Sequence, residues 1–287
     1  MPPRHYSTLA RIPRRKQWSL IQADRPHFRT QNAFMKKAAG MADRRWRATT
    51  AGPAIMLALL SLAALAAAPL GWRAGWLGLG PAFALIALAG LLAILGALLA
   101  IVALFAVRPL GRLRLLLLSL AVALGAGFVL MPLQLWSRHA PAIHDITTDT
   151  VDPPAIVAAL ATRDAEHAAS AAYGGANVAA AQRAAYPDIA PLLLPLLPGK
   201  AFDLALATAR GMPRWRIVAS DPATGRIEAS EASFWFDFVD DIVLRVSAEG
   251  AGSRIDIRSL SRQGRGDLGV NAARVRAYLA ALKSAAS

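Results

Sequence analysis

The run Gly264-Arg265-Gly266-Asp267-Leu268-Gly269 has the spacing of a glycine-rich turn that cradles a pyrophosphate at a helix N-terminus. A dinucleotide site also needs a following parallel strand with an acidic residue about 20 positions on. The residues from Val270 to Ser287 read instead as one helix-periodic segment, with Val275, Tyr278, Leu279 and Leu282 on one side. The glycines are therefore expected to let the loop turn sharply, with Asp267 capping the last helix.

Just upstream, alternation along Ser253–Arg262 places Arg254, Asp256, Arg258 and Arg262 on one side of a strand. Ile255, Ile257, Ser259 and Ser261 fall on the other. Arg258 and Arg262 near the N-terminus of the last helix would suit an anion. The competing expectation is a solvated face on which they pair with Asp237, Asp241 or Glu228. The candidate ligand-binding set is Arg258, Arg262, Asp267, Asn271, Asp240 and Asp241, with no catalytic residue assigned. A hydrolase or transferase built on Asp240, Asp241, Arg258, Asp267 and Asn271 is the enzymatic alternative. No general acid and base stand out, so a module that binds a partner or a small ligand is the leading reading.

Other groups carry weaker signals. His144, Asp145, Asp149 and Asp152 match no metal-site spacing, and turn or cap roles account for the carboxylates; no metal or cofactor is expected. Ser259 and Ser261 have no histidine after His167 to activate them and no nucleophile elbow. The chain has no cysteine, which removes disulfides and thiolate chemistry. Phe234-Trp235-Phe236 is expected to fill a core, the alternative being an exposed patch that meets a partner or lipid.

The elements that would position these groups follow from pattern. Asp152-Pro153-Pro154 reads as the start of a helix through Glu166, and a short helix is expected over Asn177–Ala185. Prolines 187, 191, 195 and 198 impose an extended stretch before a helix from Pro198 to about Arg210. Four strands follow, Trp215–Ser220, Arg226–Ser233, Asp241–Ser247 and Ser253–Ser261, joined by short turns that imply antiparallel pairing. The expected soluble domain, residues 138–287, is α+β: a four-stranded antiparallel sheet with helices on one face.

The preceding half is of another kind. Hydrophobic residues make up 55% of the 287. Apolar runs at about Pro53–Leu70, Leu79–Val107 and Leu115–Trp136 contain no Asp, Glu, Lys, Arg or His. Each suits the roughly 20 residues a helix needs to cross a bilayer, so residues 51–137 are expected to be a three-span membrane anchor. Residues 1–137 carry 16 Lys/Arg against 2 Asp/Glu, whereas residues 138–287 carry 16 of each. The high pI of about 11.3 thus belongs to the membrane half, and nucleic-acid binding is not expected. Arg44, Arg45 and Arg47 precede the first run and Arg108, Arg112 and Arg114 the third, while the first loop has only Arg73. That asymmetry predicts a bacterial inner-membrane protein with its N-terminus inside and its C-terminal domain in the periplasm or cell envelope. Trp72, Trp76 and Trp136 would mark the outer interface and Trp46 the inner one. Small residues at four-residue spacing, Ala89, Ala93, Ala97 and Ser119, Ala123, Gly127, fit close helix packing in a bundle or homo-oligomer. Residues 1–50 are read as a basic tail without a fold, or in part as a mis-called start with Met35 or Met41 as the true one.

From about Ile143 to Leu282 the chain resembles the bacterial domain of unknown function 1499 family. The resemblance rests on Tyr186-Pro187-Asp188-Ile189, on Asp240-Asp241-Ile242-Val243-Leu244-Arg245, and on the run from Arg254 through Arg258, Ser259, Ser261, Arg262, Gly264, Asp267 and Asn271 to Arg274. Other branches carry cysteines near the domain start, where this chain has Ile143-His144-Asp145-Ile146-Thr147-Thr148-Asp149. The resemblance implies the domain's boundaries and no chemistry.

Overall fold

The computed structural model describes residues 26–106, 113–124 and 140–287. Helix α1 runs Pro26–Arg73, α2 Leu79–Ala106 and α3 Leu113–Leu124. The expectation of an unfolded tail as far as residue 50 is thus corrected from Pro26 onward. Between His27 and Ala51 there is one glycine and no proline, and the Ala, Gln, Met, Lys and Arg content favours helix even without an apolar stripe. Residues 1–25 lie outside the described part. Two helical stretches are long and apolar enough to cross a membrane, Gly52–Arg73 with mean hydropathy 2.2 and Leu79–Leu104 with 2.9. Of the third expected span the described portion is α3, an apolar helix too short to cross alone; its remainder, with Gly127 and Trp136, lies outside the described residues, as do Arg108 and Arg112.

Contacts divide the chain into two compact units, residues 1–62 with 89–125, and residues 63–88 with 126–287. In the first, the small residues let helices approach closely. Ser61 Oγ donates to the Ala89 carbonyl at 2.8 Å, and Ala54, Ala100, Ala103 and Leu116 form a buried cluster. A Cβ on Gly96 would stand 3.3 Å from Leu57 Cβ, which shows how near the backbones come. Ala89, Ala93, Ser119 and Ala123 of the expected small-residue faces are buried.

The second unit is built on a six-stranded antiparallel sheet. Its strands are β1 (Asp145–Thr147), β2 (Leu192–Leu194), β3 (Trp215–Asp221), β4 (Arg226–Ala232), β5 (Val239–Glu249) and β6 (Gly252–Ser261). The order is β1-β6-β5-β4-β3, with β2 pairing beside β1 on the same edge of β6. The four expected strands form β3–β6, so the four-strand reading is short by two three-residue strands. Neither is long enough to show alternation. Gly225 closes the β3–β4 turn at φ 65°, and a Cβ there would lie 2.2 Å from the Val246 carbonyl oxygen, so this turn requires glycine.

Helix α4 spans Leu160–Ala165, α5 Gly175–Ala185, α6 Pro198–Gly211 and α7 Val270–Ala285. One sheet face, with Ile227, Ile242, Leu244, Ile255 and Ile257 fully buried, packs against α6 and α7. Tyr278 of α7 stacks on Trp215 at 5.3 Å and donates its hydroxyl to the Ala205 carbonyl. Burying each such side chain contributes about 1.5–3 kcal/mol.

The opposite face is not solvated, contrary to the expectation of helices on one side only. The segment from Asp149 to Tyr173, with the short α4, lies across it, and Ile156, Ala159, Val243 and Leu260 form a second small core there. The helix expected from Asp152 shrinks to α4, because residues 153–157 form no regular element and are anchored to the sheet through Pro154 and Val157. Val157, Ala158 and Ala159 donate their N–H groups to the Glu228 carboxylate. A strand carboxylate thus satisfies the donors of the α4 N-terminus, the role expected of Asp152.

Candidate functional site

On the covered face, every charged strand residue of the candidate set meets an opposite charge inside the protein. Arg258 donates Nε and Nη2 to the two Asp145 oxygens at 2.9 and 2.8 Å, and also reaches the Pro154 and Ala171 carbonyls. The Tyr173 ring lies 5.6 Å from its guanidinium carbon. Arg262 forks onto Asp241 at 2.9 and 2.7 Å and pairs with Glu166; Asp241 also accepts from Arg163 at 2.6 Å. Arg245 and Arg254 converge on Asp149 and the buried Asp256, whose carboxylate also accepts from Thr148. The forks of Arg254 on Asp256 and of Arg262 on Asp241 have the two-pronged geometry that makes such pairs strong. Asp241 and Asp149 hold arginines that the alternation of β6 had placed on this side; what it had not shown is the layer that shuts them in.

The other face carries a second polar cluster at the end of β5 and β6 nearest α7. Arg274 donates to Glu231 at 2.7 Å, to Asp240 at 2.7 Å and to Ser259 Oγ at 2.9 Å, and it also contacts Asn271 Oδ1. Asn271 in turn donates to Ser261 Oγ at 2.9 Å and to the His144 carbonyl. Glu231 also accepts from Trp215 and Arg214. Burial pushes the Glu231 carboxyl up, but the Arg274 and Arg214 guanidiniums outweigh it and hold it below its ordinary range. Asp267 accepts from the N–H groups of Gly269 and Asn271, both at 2.8 Å, which is the cap expected of it. Its carboxyl is raised, by burial first and by nearby Asp240 as well.

The candidate set is therefore divided by the sheet. Arg258, Arg262 and Asp241 belong to the covered face, and Asp240, Asp267 and Asn271 to the helix face. Arg258 and Arg262 do not converge at the α7 N-terminus; Arg274, one turn inside α7, takes that place. The strand serines are buried as hydrogen-bonding partners of α7. Sequence reasoning passed over Glu231 and Arg163, weighed Asp145 only as a metal ligand, and named Arg274 only as the end of the family-like run. The one signal for them was Asn271 and Arg274 at i, i+3, which share a helix face. Of the residues weighed for a metal, Asp145, Asp149 and Asp152 each pair with arginine.

The aromatic segment is only partly in a core: Phe236 is buried in a small cluster with Ala68 and Ala82, and the two residues before it are not. Phe234 is 79% and Trp235 43% exposed. Phe236 and Phe238, stacked at 5.0 Å, instead pack against the helical hairpin: Phe236 on Phe83, Phe238 on Trp72, with Ala68 and Ala82 buried beneath. Beside this contact opens a cleft of about 390 Å3, lined by Leu79, Phe83, Phe238 and Val270 on its apolar side and by Ser233, Asp240, Ser261, Gln263, Arg265 and Asp267 on its polar side. The buried Gln263 Oε1 has no hydrogen-bond partner among the described residues. Asp240 meets Arg274 through Oδ2, and its Oδ1 accepts nothing among the described residues. The cleft thus combines an apolar wall with uncommitted acceptors, the arrangement that binds and orients small ligands. A second cavity of about 550 Å3 lies near His144, whose Nδ1 is also buried without a partner among the described residues.

No curated protein matches the chain. The crystal structure of TTHA0849 from Thermus thermophilus is similar at 12% identity, covering 33% of this chain and 90% of that one with a TM-score of 0.20. Residues 145–282, the C-terminal domain of this chain, match the family model described as protein of unknown function (DUF1499).

Proposed function

We propose that the protein is a membrane-anchored binding module of the bacterial cell envelope, with its C-terminal domain outside the cytoplasm and its ligand in the cleft beneath the loop 263–270. One observation carries this reading. The charged groups of both sheet faces are largely engaged with one another, while the cleft keeps acceptors, Gln263 Oε1 and Asp240 Oδ1, without partners among the described residues. For Gln263 Oε1, which is buried, the missing partner costs about 1–3 kcal/mol, and an occupant that donates to it would recover that cost. Asp240 Oδ1 adds a second acceptor that is not shut off from solvent. The nearest carboxylates cap a helix or pair with arginine, which favours binding over acid–base catalysis.

Native mass spectrometry of the full chain extracted in mild detergent should show a retained small mass. Val270→Trp, which fills the cleft from an exposed position, should remove that mass without lowering Tm. A wild-type protein without any adduct would overturn the reading. The proposed orientation follows from Arg44, Arg45 and Arg47 ahead of the apolar stretch of α1, against the single Arg73 in the hairpin loop. A reporter active only outside the cytoplasm, fused after Ser287, is expected to be active. Activity of a cytoplasm-only reporter there would reverse the topology.

A further inference from the structure

The wall of the cleft fixes where its occupant comes from. Leu79 and Phe83 belong to the first turns of α2. The apolar stretch Leu79–Leu104 is 26 residues long, about 39 Å at the helical rise, against roughly 30 Å of hydrocarbon. When that stretch spans a bilayer, its end turns stand in the head-group layer. Exposed Trp76, and Phe234 and Trp235 beside the Phe236–Phe83 contact, are the side chains that settle at such an interface. The cleft then opens at head-group height along a helix whose outer surface is lipid.

Its polar side selects among head groups. Asp240 and Glu231 flank the buried guanidinium of Arg274, and Glu231 is also paired with the more exposed Arg214. Asp267 lies near Asp240, so the carboxylates on the cleft side, Asp240 and Asp267, outnumber the one buried cation. Gln263 Oε1 and Asp240 Oδ1 ask for donors. Arg265, exposed and without an ion-pair partner among the described residues, stands at the rim. Donors with positive charge belong at the floor and an anion at the rim, with the apolar part of the molecule along Leu79, Phe83 and Phe238.

We infer that the cleft binds the head group of a phospholipid bearing a primary ammonium, the ammonium among Asp240, Gln263 and Asp267 and the phosphate at Arg265. The inference rests on the cleft being the binding site, as proposed above. A primary ammonium brings three N–H donors and a charge. A choline head group has the charge without donors, and a glycerol head group has donors without the charge.

The test places the full chain in nanodiscs holding equal parts of phosphatidylethanolamine, phosphatidylcholine and phosphatidylglycerol, and measures by native mass spectrometry which lipid stays bound on release. The ethanolamine lipid should be enriched about tenfold over either other lipid, the size of one charge-assisted hydrogen bond. Gln263→Leu should erase most of that preference, and Arg265→Ala should weaken retention while keeping the order. Circular dichroism and Tm equal to wild type keep these variants interpretable. Enrichment of phosphatidylglycerol or phosphatidylcholine that Val270→Trp abolishes would overturn the ammonium assignment and leave the cleft as a site. Equal retention of all three lipids, unchanged by Val270→Trp, would overturn both.

Discussion

Asp241→Asn is expected to destabilise the domain by about 3–5 kcal/mol, on the order of 10–20 °C in Tm for a domain of this size. Asp241 is 1% exposed and is the shared partner of two guanidiniums, Arg163 at 2% and Arg262 at 5% exposure. Asparagine keeps one acceptor oxygen and the shape but removes the charge. Arg163 then faces only the Ala169 and Ser261 carbonyls. Arg262 retains the half-exposed Glu166, whose carboxylate water already screens. Two cations that cannot lose their protons are left close together in a closed layer. Replacing all three residues by apolar ones of similar volume should recover much of the loss, because the pairing mainly offsets its own desolvation. Thermal unfolding of the full chain in detergent, followed by circular dichroism, reads both effects. An Asn variant within about 1 kcal/mol of wild type would mean that water reaches the cluster, as at surface ion pairs.

How much of this was legible in sequence depends on the distance over which each feature is encoded. Strands β3–β6, α6 and α7 declare themselves locally, through alternation, a Pro at a helix start and a 3.6-residue period, and they fall where expected to within two residues. So does the Asp267 cap, which reaches only to Gly269 and Asn271. β1 and β2 do not, because three residues show no period and their pairing with β6 joins segments far apart in the chain.

The covered face escaped for a related reason. Arg and Asp at alternating positions of β6 read as a wet face, since water is their usual partner. What dries them is the Ala-rich stretch 155–172, whose lack of periodicity gives no sign of packing on anything. Its attachments are Glu228 to the 157–159 amides, Arg258 to the Pro154 and Ala171 carbonyls, and Arg163 to Asp241. Each joins residues about 70 or more positions apart. The cleft is a longer-range feature still. Leu79 and Phe83 read simply as membrane residues and Gln263 as loop, and only the docking of Phe236 and Phe238 on the hairpin brings them to one place.

Arg258→Ala should likewise cost about 3–5 kcal/mol, with the damage concentrated in the covering segment. The side chain is 3% exposed. Its removal leaves the Asp145 carboxylate buried without its counter-charge, and frees two carbonyls that tie residues 154 and 171 to the sheet. Amide exchange in residues 150–173 is therefore expected to accelerate more than in β4–β6, because local opening no longer requires breaking the Arg258 contacts. Lysine should restore only part of the stability. Its single ammonium cannot present two parallel donors to Asp145 and a third to Pro154, and it lacks the planar group that lies over Tyr173. Removing both charges together, as in Asp145→Leu with Arg258→Leu, should be milder than Arg258→Ala alone, the signature of a pair whose members matter chiefly to each other. Lipid retention in the cleft should be unchanged in whatever fraction of the Lys variant is folded, since Arg258 and the cleft stand on opposite faces of the sheet. Wild-type Tm in the Ala variant with loss of a bound anion would instead make Arg258 a ligand-binding arginine, and would return the anion site to the face from which the buried Asp145 now excludes it.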